Sequence, residues 1–319
     1  MKKLVFGLLM SSAAIYFAEG YPKEYSADAS TPEKRAALTE ELWKHDAAND
    51  VLLWPDARLK PEAKDKPFVF RENELWQRNL IVSEMLRPQF TFFRASGEGV
   101  KPMVVVYPGG GYYNLGWNKE GTEIAQWLNS VGFSAAVLLY RTNDRTAALA
   151  DAQRTMGILR RDASKYGIDP NRIGVIGFSA GANLAVKLAT NWRTRVYERV
   201  DDADDLSCRP DFMLPIYPWD LRPRNNPQSV GQGWKATHEI AEAYPIDRET
   251  PRAFIVQSLD DFCQIETAVG LDLALKKVGV DSTLKVYQNG GHGYGRRRLG
   301  FATDTWSYEA VGWLAQFLK

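Results

Sequence analysis

The sequence predicts an α/β fold in which a mostly parallel, twisted eight-stranded sheet is flanked by helices in a three-layer αβα sandwich. From about residue 66, short apolar runs alternate with helical segments, and this repetition is typical of a parallel sheet with right-handed crossovers. The later runs are continuous rather than alternating, as in strands buried on both faces. The 319 residues are 45% hydrophobic and 25% charged, a composition that suits one large core.

Eight segments carry the strand pattern, and helical segments lie between the later ones. The predicted strands are residues 67–71, 90–94, 103–107, 134–139, 173–178, 212–217, 253–257 and 283–287. The predicted helices are residues 120–130, 147–166, 180–191, 264–278 and 304–318. We therefore expect residues 66–319 to form a single domain.

The first 65 residues do not follow this pattern. Two lysines precede a mostly apolar segment, residues 4–18, which ends in the small-x-small sequence Ala18-Glu19-Gly20. These features predict a signal peptide at residues 1–20 and export to the periplasm or the medium, with an anchor or a buried terminal helix as the alternative. The segment is shorter than the about 20 residues of a membrane-spanning helix. Residues 21–65 are predicted to be an N-terminal arm in which Leu53-Trp54-Pro55 packs on the domain.

The charge of the chain indicates which kind of partner it binds, and the positions of its cysteines indicate whether they form a disulfide. The chain has 40 Lys and Arg against 39 Asp and Glu, a formal charge of +1. No global field therefore attracts nucleic acid or an anionic membrane, and a small molecule or a neutral polymer is the expected partner. Cys208 and Cys263 fall near opposite ends of neighbouring predicted strands. Since a disulfide needs Cα atoms within about 7 Å, we expect free thiols.

Two runs of like charge are candidate ligand sites. The run Asp201-Asp202-Ala203-Asp204-Asp205 lacks the glycine and the alternating spacing of a calcium loop, so a solvated loop is expected there and no metal. The run Arg296-Arg297-Arg298 could hold an acidic glycan, but a solvated face is the more common role of such a run.

The sharpest motif is Gly177-Phe178-Ser179-Ala180-Gly181. It follows the strand predicted at 173–178 and precedes the helix predicted at 180–191, which is the strand–turn–helix context of a nucleophile elbow. A serine on such a strained turn needs small residues two positions away on either side. The start of the helix adds unpaired amides and the positive end of the helix dipole. We therefore predict a nucleophilic role for Ser179 in preference to a plain turn.

A serine nucleophile needs a base, and the chain has three histidines. His45 lies in the N-terminal arm, and His238 precedes the last two predicted strands. His292 alone lies in a glycine-rich loop directly after the final strand, in the sequence Gly290-Gly291-His292-Gly293. The flanking glycines allow the imidazole to reach over the edge of the sheet towards Ser179.

An acid that orients this histidine should follow the preceding strand. The sequence there is Ser258-Leu259-Asp260-Asp261. The two carboxylates point in different directions, so one should reach His292 while the other caps the helix predicted from residue 264. Asp220, after the strand at 212–217, is the fallback candidate.

A run of glycines follows the strand at 103–107, in the sequence Tyr107-Pro108-Gly109-Gly110-Gly111. It lacks the Lys-Ser/Thr pair of a Walker phosphate loop and the spaced third glycine of a dinucleotide loop, so no nucleotide cofactor is expected. Glycines at the end of a strand do allow the backbone amides to come close to a reacting atom.

Together these motifs resemble the BD-FAE-like, acetylxylan-esterase-like branch of the α/β-hydrolases, which is related to the hormone-sensitive-lipase-like esterases. The matching stretches, within residues 53–319, are Pro108-Gly109-Gly110-Gly111-Tyr112, Glu120-Gly121, Leu139-Tyr140-Arg141, Asp151-Ala152-Gln153-Arg154, Gly167-Ile168-Asp169-Pro170-Asn171-Arg172-Ile173, Gly177-Phe178-Ser179-Ala180-Gly181, Asp260-Asp261 and Gly290-Gly291-His292-Gly293-Tyr294-Gly295. The resemblance implies an α/β-hydrolase fold with Ser179 as nucleophile, His292 as base and Asp261, rather than Asp260, as acid. It also implies oxyanion-binding amides from Gly110, Gly111 and Ala180.

The activity that the resemblance implies is that of a serine esterase acting without a metal or cofactor. The expected substrates are short-chain acyl esters, in particular acetyl groups on carbohydrates. A general carboxylesterase, a serine peptidase and an inactive hydrolase-fold binding protein are the alternatives. Tyr112, Tyr113, Trp117 and Trp219 follow strand ends on the predicted active face. They are candidates for stacking on sugars, although packing explains such aromatic residues equally well.

Overall fold

A computed structural model of the chain describes residues 49–63, 69–73, 79–225, 235 and 237–318. The predicted signal peptide and most of the predicted N-terminal arm lie outside these residues. Within them, no helix has the length and apolarity needed to cross a membrane.

The described residues contain eleven strands in two sheets. The strands are β1 (Asp50–Leu52), β2 (Val69–Asn73), β3 (Asn79–Ser83), β4 (Gln89–Phe93), β5 (Lys101–Tyr107), β6 (Asn114–Gly116), β7 (Ser134–Leu139), β8 (Ile168–Phe178), β9 (Phe212–Ile216), β10 (Arg252–Ser258) and β11 (Ser282–Tyr287). The main sheet has the order β1-β4-β7-β5-β8-β9-β10-β11, and the small sheet has the order β2-β3-β6. In the main sheet β4 runs antiparallel to β1 and β7, while the other neighbours are parallel.

The predicted eight-stranded, mostly parallel sheet is confirmed, but one of its members is different. The strand predicted at 67–71 corresponds to β2, which belongs to the small antiparallel sheet instead. The eighth strand of the main sheet is β1, which pairs with β4 at one edge. With three residues, β1 is too short to show a hydrophobic period in the sequence.

The helices of the described residues accompany the main sheet. They are α1 (Glu123–Ser130), α2 (Arg145–Arg161), α3 (Ala163–Tyr166), α4 (Ala180–Thr190), α5 (Glu266–Lys277) and α6 (Trp306–Leu314). α2 begins after Asp144, whose carboxylate accepts hydrogen bonds from the amides of Thr146 and Ala147. The helix predicted at 147–166 is divided at Asp162 into α2 and α3. A π-helical turn, Asn118–Thr122, precedes α1.

The parallel strands form the centre of the core. Met103 to Val106 in β5 and all six residues of β7 are fully buried or nearly so, as expected for strands covered by helices on both faces. The carboxyl ends of β5, β8, β10 and β11 meet at the same edge of the sheet because these strands are parallel. In open α/β sheets this edge is the usual position of a functional site.

The residues that follow β1 pack on the main body through Leu53 and Trp54, which are 1% and 8% exposed. The Trp54 indole donates to Asp151 Oδ1 at 2.6 Å. Arg154, which is also buried, donates through Nε to the carbonyl of Leu53 at 3.0 Å. The predicted packing of these two side chains on the domain is confirmed.

The acidic run at 201–205 is only in part the solvated loop that was expected. The side chains of Asp202 and Asp205 are 72% and 56% exposed, whereas the other two carboxylates bind a buried arginine. The side chain of Asp204 is 1% exposed and lies 3.0 Å from Arg154 Nη1, and it accepts a hydrogen bond from Tyr197. Asp201 binds the same guanidinium at 2.8 and 2.5 Å, and Asp205 pairs with Arg199. The carboxylates are held because arginines from α2 and from the loop before the run lie opposite them.

Candidate active site

Ser179 occupies the sharp turn between β8 and α4. Its φ of 53° and ψ of −114° are strained for a residue with a Cβ. A Cβ on Gly177 would lie 2.1 Å from the carbonyl oxygen of Gly181, and one on Gly181 would lie 1.9 Å from that of Tyr107. The turn therefore requires glycine at both positions, and Ser179 is held in it by a hydrogen bond from its amide to Ile216 O at 3.1 Å.

A hydrogen-bond chain joins Ser179 to a histidine and an aspartate. His292 Nε2 lies 2.7 Å from Ser179 Oγ, and His292 Nδ1 lies 2.8 and 3.0 Å from the two oxygens of Asp261. The side chains of His292 and Asp261 are 5% and 0% exposed. With the proton on Nδ1, the imidazole donates to Asp261 and its Nε2 accepts from the serine hydroxyl. The structure thus brings together the three residues predicted as nucleophile, base and acid.

Asp260 contacts the same loop at a different place. Its Oδ1 accepts from the amide of Gly291 at 2.8 Å and its Oδ2 from the amide of Gly290 at 3.3 Å. Partial burial alone would raise the pKa of Asp260, but these amide hydrogen bonds outweigh it and the pKa is lowered. The expectation that the second carboxylate caps the following helix is wrong, because this carboxylate is turned towards the His292 loop.

Asp220, the fallback acid, is engaged elsewhere. Its carboxylate accepts from Arg145 Nη1 at 2.7 Å and from the Arg224 guanidinium. The aspartate that is hydrogen-bonded to His292 is Asp261.

The glycine run after β5 passes beside the serine. The amide of Gly109 donates to Glu120 Oε2 at 2.8 Å. Gly110 has a φ of 137°, and a Cβ there would lie 2.0 Å from the backbone oxygen of Asn114. Among the described residues, no acceptor contacts the amides of Gly110, Gly111 or Ala180. These three predicted oxyanion donors can therefore donate to a substrate.

Glu120 connects this loop with the His292 loop. It is 4% exposed, and its Oε1 accepts from the Tyr217 hydroxyl at 2.8 Å. The Tyr217 oxygen in turn accepts from the amide of Gly295 at 3.0 Å. Burial, followed by the nearby charge of Glu120, raises the pKa of Tyr217 well above its usual value, so its hydroxyl remains a donor.

A cavity of about 380 Å³ lies over Ser179 and His292. Besides these residues and the three glycines of the run, its lining includes Asn79, Ile81, Asn114, Glu120, Trp219 and Phe262. The small sheet forms one wall, since Asn79 and Ile81 come from β3 and Asn114 comes from β6. Sequence reasoning missed Asn79, Ile81 and Asn114 because β3 and β6 were not predicted as strands. Glu120 was present only as part of a matching motif.

Of the four aromatic residues predicted to meet a substrate, only Trp219 lines the cavity. Tyr112 is 4% exposed and donates its hydroxyl to Asn183 Oδ1 at 2.9 Å, and Trp117 is 1% exposed within the core. Tyr113 is 57% exposed outside the lining. The expectation is therefore not met for these three residues. Phe262, which was not predicted, lines the cavity with its ring centroid 4.6 Å from that of His292.

The arginine run lies outside the lining of the cavity. Arg297 pairs with Glu123 at 2.6 Å. Arg296 lies over the ring of Trp127, and Arg298 lies over the ring of Tyr308. These contacts give no support to a site for acidic glycans.

Cys263 lies beside the hydrogen-bond chain, with its Sγ 3.9 Å from His292 Nε2. Both cysteines are buried and free, as predicted. Burial, together with the charge of Asp261, raises the pKa of the Cys263 thiol, so the sulfur keeps its proton. Asp261, Cys263 and His292 place one ligand atom each within 4.8 Å of one another. A metal ion there would compete with the hydrogen bonds of His292.

The fold and this site define an α/β-hydrolase. Comparison with known families supports this class, because residues 151–319 match the prolyl oligopeptidase family and residues 92–209 match BD-FAE. The first match covers more than half of the chain. The chain therefore belongs to the prolyl oligopeptidase family.

Two curated relatives have names that refer to xylan. An acetylxylan esterase from Xylanibacter ruminicola is 30% identical over 208 residues, which cover 60% of this chain and 41% of that protein. An endo-1,4-beta-xylanase B from Butyrivibrio fibrisolvens is 28% identical over 241 residues, which cover 70% of this chain and 38% of that protein. The chain spans about two fifths of the length of these relatives.

Solved structures extend the likeness over most of the chain. An acetyl ester-xyloside bifunctional hydrolase from Caldicellulosiruptor lactoaceticus has a TM-score of 0.70 at 26% identity, covering 85% of this chain and 97% of that one. A thermophilic esterase from Thermogutta terrifontis has a TM-score of 0.63 at 19% identity, over 82% and 97% of the two chains, a likeness that shows the fold alone. The predicted resemblance to α/β-hydrolase esterases is confirmed at the level of family and fold.

Proposed function

We propose that the protein is a serine esterase that hydrolyses short-chain acyl esters, in particular acetyl groups on carbohydrates. The observation that carries the proposal is the hydrogen-bond chain from Ser179 through His292 to Asp261 at the cavity. The likeness to an acetylxylan esterase and to an acetyl ester-xyloside hydrolase supports the acetyl and carbohydrate parts of the proposal.

In the proposed mechanism, Ser179 Oγ attacks the ester carbonyl while His292 Nε2 takes the hydroxyl proton. The tetrahedral intermediate then collapses, and the same proton passes from His292 to the departing alcohol. Water attacks the acyl-enzyme by the same route and releases the acid. Asp261 fixes the tautomer of the imidazole and stabilises the imidazolium without taking its proton.

The negative charge that develops on the carbonyl oxygen needs preorganised donors. We assign this role to the amides of Gly110, Gly111 and Ala180, which have no protein acceptor among the described contacts. Ala180 is the first residue of α4, so its amide also lies at the positive end of the helix dipole. Each such donor contributes about 10²- to 10³-fold to the rate of comparable enzymes.

The walls of the cavity suit a neutral, partly apolar substrate. Its volume of about 380 Å³ falls in the usual range for sites that bind small molecules. Trp219 and Phe262 provide aromatic surface, and aromatic rings pack well on the apolar faces of sugars. The arginine run does not contribute to the lining.

A serine peptidase is the second candidate, since the match over residues 151–319 is to the prolyl oligopeptidase family. The same nucleophile, base and donors would serve amide cleavage. A general carboxylesterase would use them as well. An inactive binding protein is disfavoured because the hydrogen-bond chain is complete.

The experiment that tests the proposal compares the wild type with Ser179→Ala on 4-nitrophenyl acetate. We expect hydrolysis to be abolished in the variant while its circular dichroism spectrum is unchanged, because the alanine removes only the attacking oxygen. Full activity in the folded variant would contradict the mechanism. The same assay with a series of acyl lengths, acetylated xylooligosaccharides and a peptide anilide tests the substrate class, and faster cleavage of long-chain or peptide substrates would contradict it.

Export remains a proposal that depends on residues 1–20, which lie outside the described residues. The basic start and apolar segment of the sequence support it. N-terminal sequencing of the protein recovered from the periplasm or the medium should show a start near residue 21. Recovery in the cytoplasm alone, with the leader intact, would overturn the proposal.

A further inference from the structure

One wall of the cavity contains a buried polar side chain whose oxygen accepts no hydrogen bond from the described residues. Asn79, the first residue of β3, is 5% exposed and lines the cavity. Its Oδ1 is fully buried and has no hydrogen-bond partner among the residues that the structure describes. Buried carboxamides are almost always satisfied, because leaving one unpaired is costly. An unpaired one that faces a cavity indicates a ligand group.

Asn79 lines the same cavity as Glu120 and Ser179. A Cβ on Gly116 would lie 3.0 Å from Asn79 Nδ2 and 3.4 Å from Glu120 Oε2. A Cβ on Gly109 would lie 2.7 Å from the same Glu120 oxygen and 3.0 Å from Ser179 Cβ. Asn79, Glu120 and Ser179 all line the cavity, and a side chain at Gly116 would crowd the Asn79 carboxamide.

The chemistry of the amide limits what it binds. The acyl part of a short-chain ester has no hydrogen-bond donor, so a donor for Asn79 Oδ1 must belong to the alcohol part of the substrate. A hydroxyl group both donates and accepts, so it satisfies the carboxamide in either orientation of its oxygen and nitrogen. Asn79 and Ser179 line the same cavity, so this hydroxyl belongs to the part of the alcohol that enters the cavity with the ester, as on a sugar ring.

We propose that Asn79 is a specificity-determining residue that hydrogen-bonds a hydroxyl group next to the ester in the alcohol part of the substrate. The enzyme then selects esters of polyhydroxylated alcohols over esters of simple alcohols. This inference depends on the proposed esterase function and adds to it a residue that recognises the alcohol.

The test uses two esters that differ by one hydroxyl group, cyclohexyl acetate and the monoacetate of trans-cyclohexanediol with its hydroxyl on the neighbouring carbon. The value of kcat/KM is measured for both esters with the wild type, Asn79→Leu and Asn79→Ala. Asn129→Ala is the matched control, because the Asn129 amide donates to the carbonyls of Phe93 and Phe133 and the residue does not line the cavity.

We expect the wild type to prefer the diol ester about tenfold, the value for one neutral hydrogen bond, and both Asn79 variants to lose that preference. Asn129→Ala should retain it. A wild type without the preference overturns the inference, as does an equal loss on both esters in the Asn79 variants, and in both cases the esterase function stands. A wild type that hydrolyses neither ester overturns the esterase function and the inference with it. If Asn79→Leu does not fold, Asn79→Ala and the pair of esters on the wild type still decide.

Discussion

Asp260 and Asp261 are neighbours in the chain, but their carboxylates contact the His292 loop at different places. Asp261 binds the imidazole, and Asp260 binds the amides of Gly290 and Gly291. One carboxylate therefore orients the ring, while the other holds the backbone that carries it. In the proposed mechanism only the first acts on the proton that moves.

This difference predicts unequal effects of two matched substitutions. Asp261→Asn should lower kcat by about 10⁴-fold, because the amide favours the wrong tautomer of His292. Asp260→Asn keeps an acceptor oxygen for the loop amides and should stay within about tenfold of the wild type, the loss of one hydrogen bond. Steady-state kinetics on 4-nitrophenyl acetate measure both values. Equal losses in the two variants would show that the acid is not assigned correctly.

At this scale, local motifs predict some residues of the site and not others. The positions of Ser179 and His292 follow from short glycine-flanked sequences next to predicted strands. Asp261 needed the spacing of a resembling family. Asn79 and Phe262 carry no motif, because what brings them to the cavity is tertiary packing that only the structure shows.

Among the elements, the loop between β5 and β6 is held by several backbone hydrogen bonds. Its carbonyl at Gly110 accepts from the amides of Tyr113 and Asn114, both at 3.0 Å. The carbonyl of Gly109 accepts from the amide of Gly116, also at 3.0 Å. The backbone is thus fixed on both sides of the proposed oxyanion donors.

A methyl group at Gly110 should therefore displace this loop. Gly110→Ala places a Cβ 2.0 Å from the backbone oxygen of Asn114 at a φ of 137°, so the loop must shift and the donors move with it. We expect kcat to fall by about 10²- to 10³-fold, the effect of losing one oxyanion donor. Gly99→Ala is the control, since Gly99 also has a positive φ but open space around it. Wild-type kcat in a folded Gly110→Ala enzyme would exclude Gly110 from the site.

The hydrophobic pattern of the sequence predicts some strands and not others. β7 is found at the residues predicted for it, because six consecutive buried residues give a clear apolar run. β3 and β6 were not predicted, since each is short and their pairing joins residues far apart in sequence, such as Ile81 with Gly116. The wall of the cavity that these strands form could therefore not be predicted from the sequence.

Across the whole molecule, one buried guanidinium connects parts of the chain that are distant in sequence. Arg154 of α2 donates to the carbonyl of Leu53 and pairs with Asp201 and Asp204. The hydrogen bond from Arg154, which outweighs partial burial, lowers the pKa of Asp201 to about 2. The stability of these contacts therefore depends on pH.

The sign of this dependence follows from the lowered pKa. Above the unfolded-state value near 3.8, Asp201 is ionised in both states and its contribution to stability is fully present. The contribution is lost as the pH falls towards about 2, because the unfolded chain takes up the proton first. Urea unfolding should show that the difference in free energy between wild type and Asp201→Asn is constant above pH ~5 and shrinks below pH ~4.

The matched control for this measurement is Asp202→Asn. The Asp202 side chain is 72% exposed, and exposed ion pairs contribute little to stability, so this variant should unfold much like the wild type. A pH-independent difference for Asp201→Asn would mean that its carboxylate gains nothing from Arg154.

The overall fold was predictable because its centre is repetitive. Strands such as β8 and helices such as α4 alternate with clear apolar runs, and this pattern defines the parallel sheet. The edge strand β1 and the small sheet depend instead on pairings that few residues specify. Likewise, Arg154, which pairs with Asp201 and Asp204, belongs to a helix far from the run in sequence, so composition alone suggested a solvated loop.

The place of Cys263 affects how inhibitors of this protein should be interpreted. A mercurial bound to its sulfur would lie against His292, 3.9 Å away, and would stop proton transfer in an enzyme whose proposed nucleophile is a serine. Because the thiol is buried and its pKa is raised, alkylating reagents that need a thiolate should react slowly with it. Inhibition by mercurials but not by iodoacetamide would thus indicate a cysteine that lies near the active site without taking part in the reaction. Such a result should not lead to classification of the protein as a thiol hydrolase.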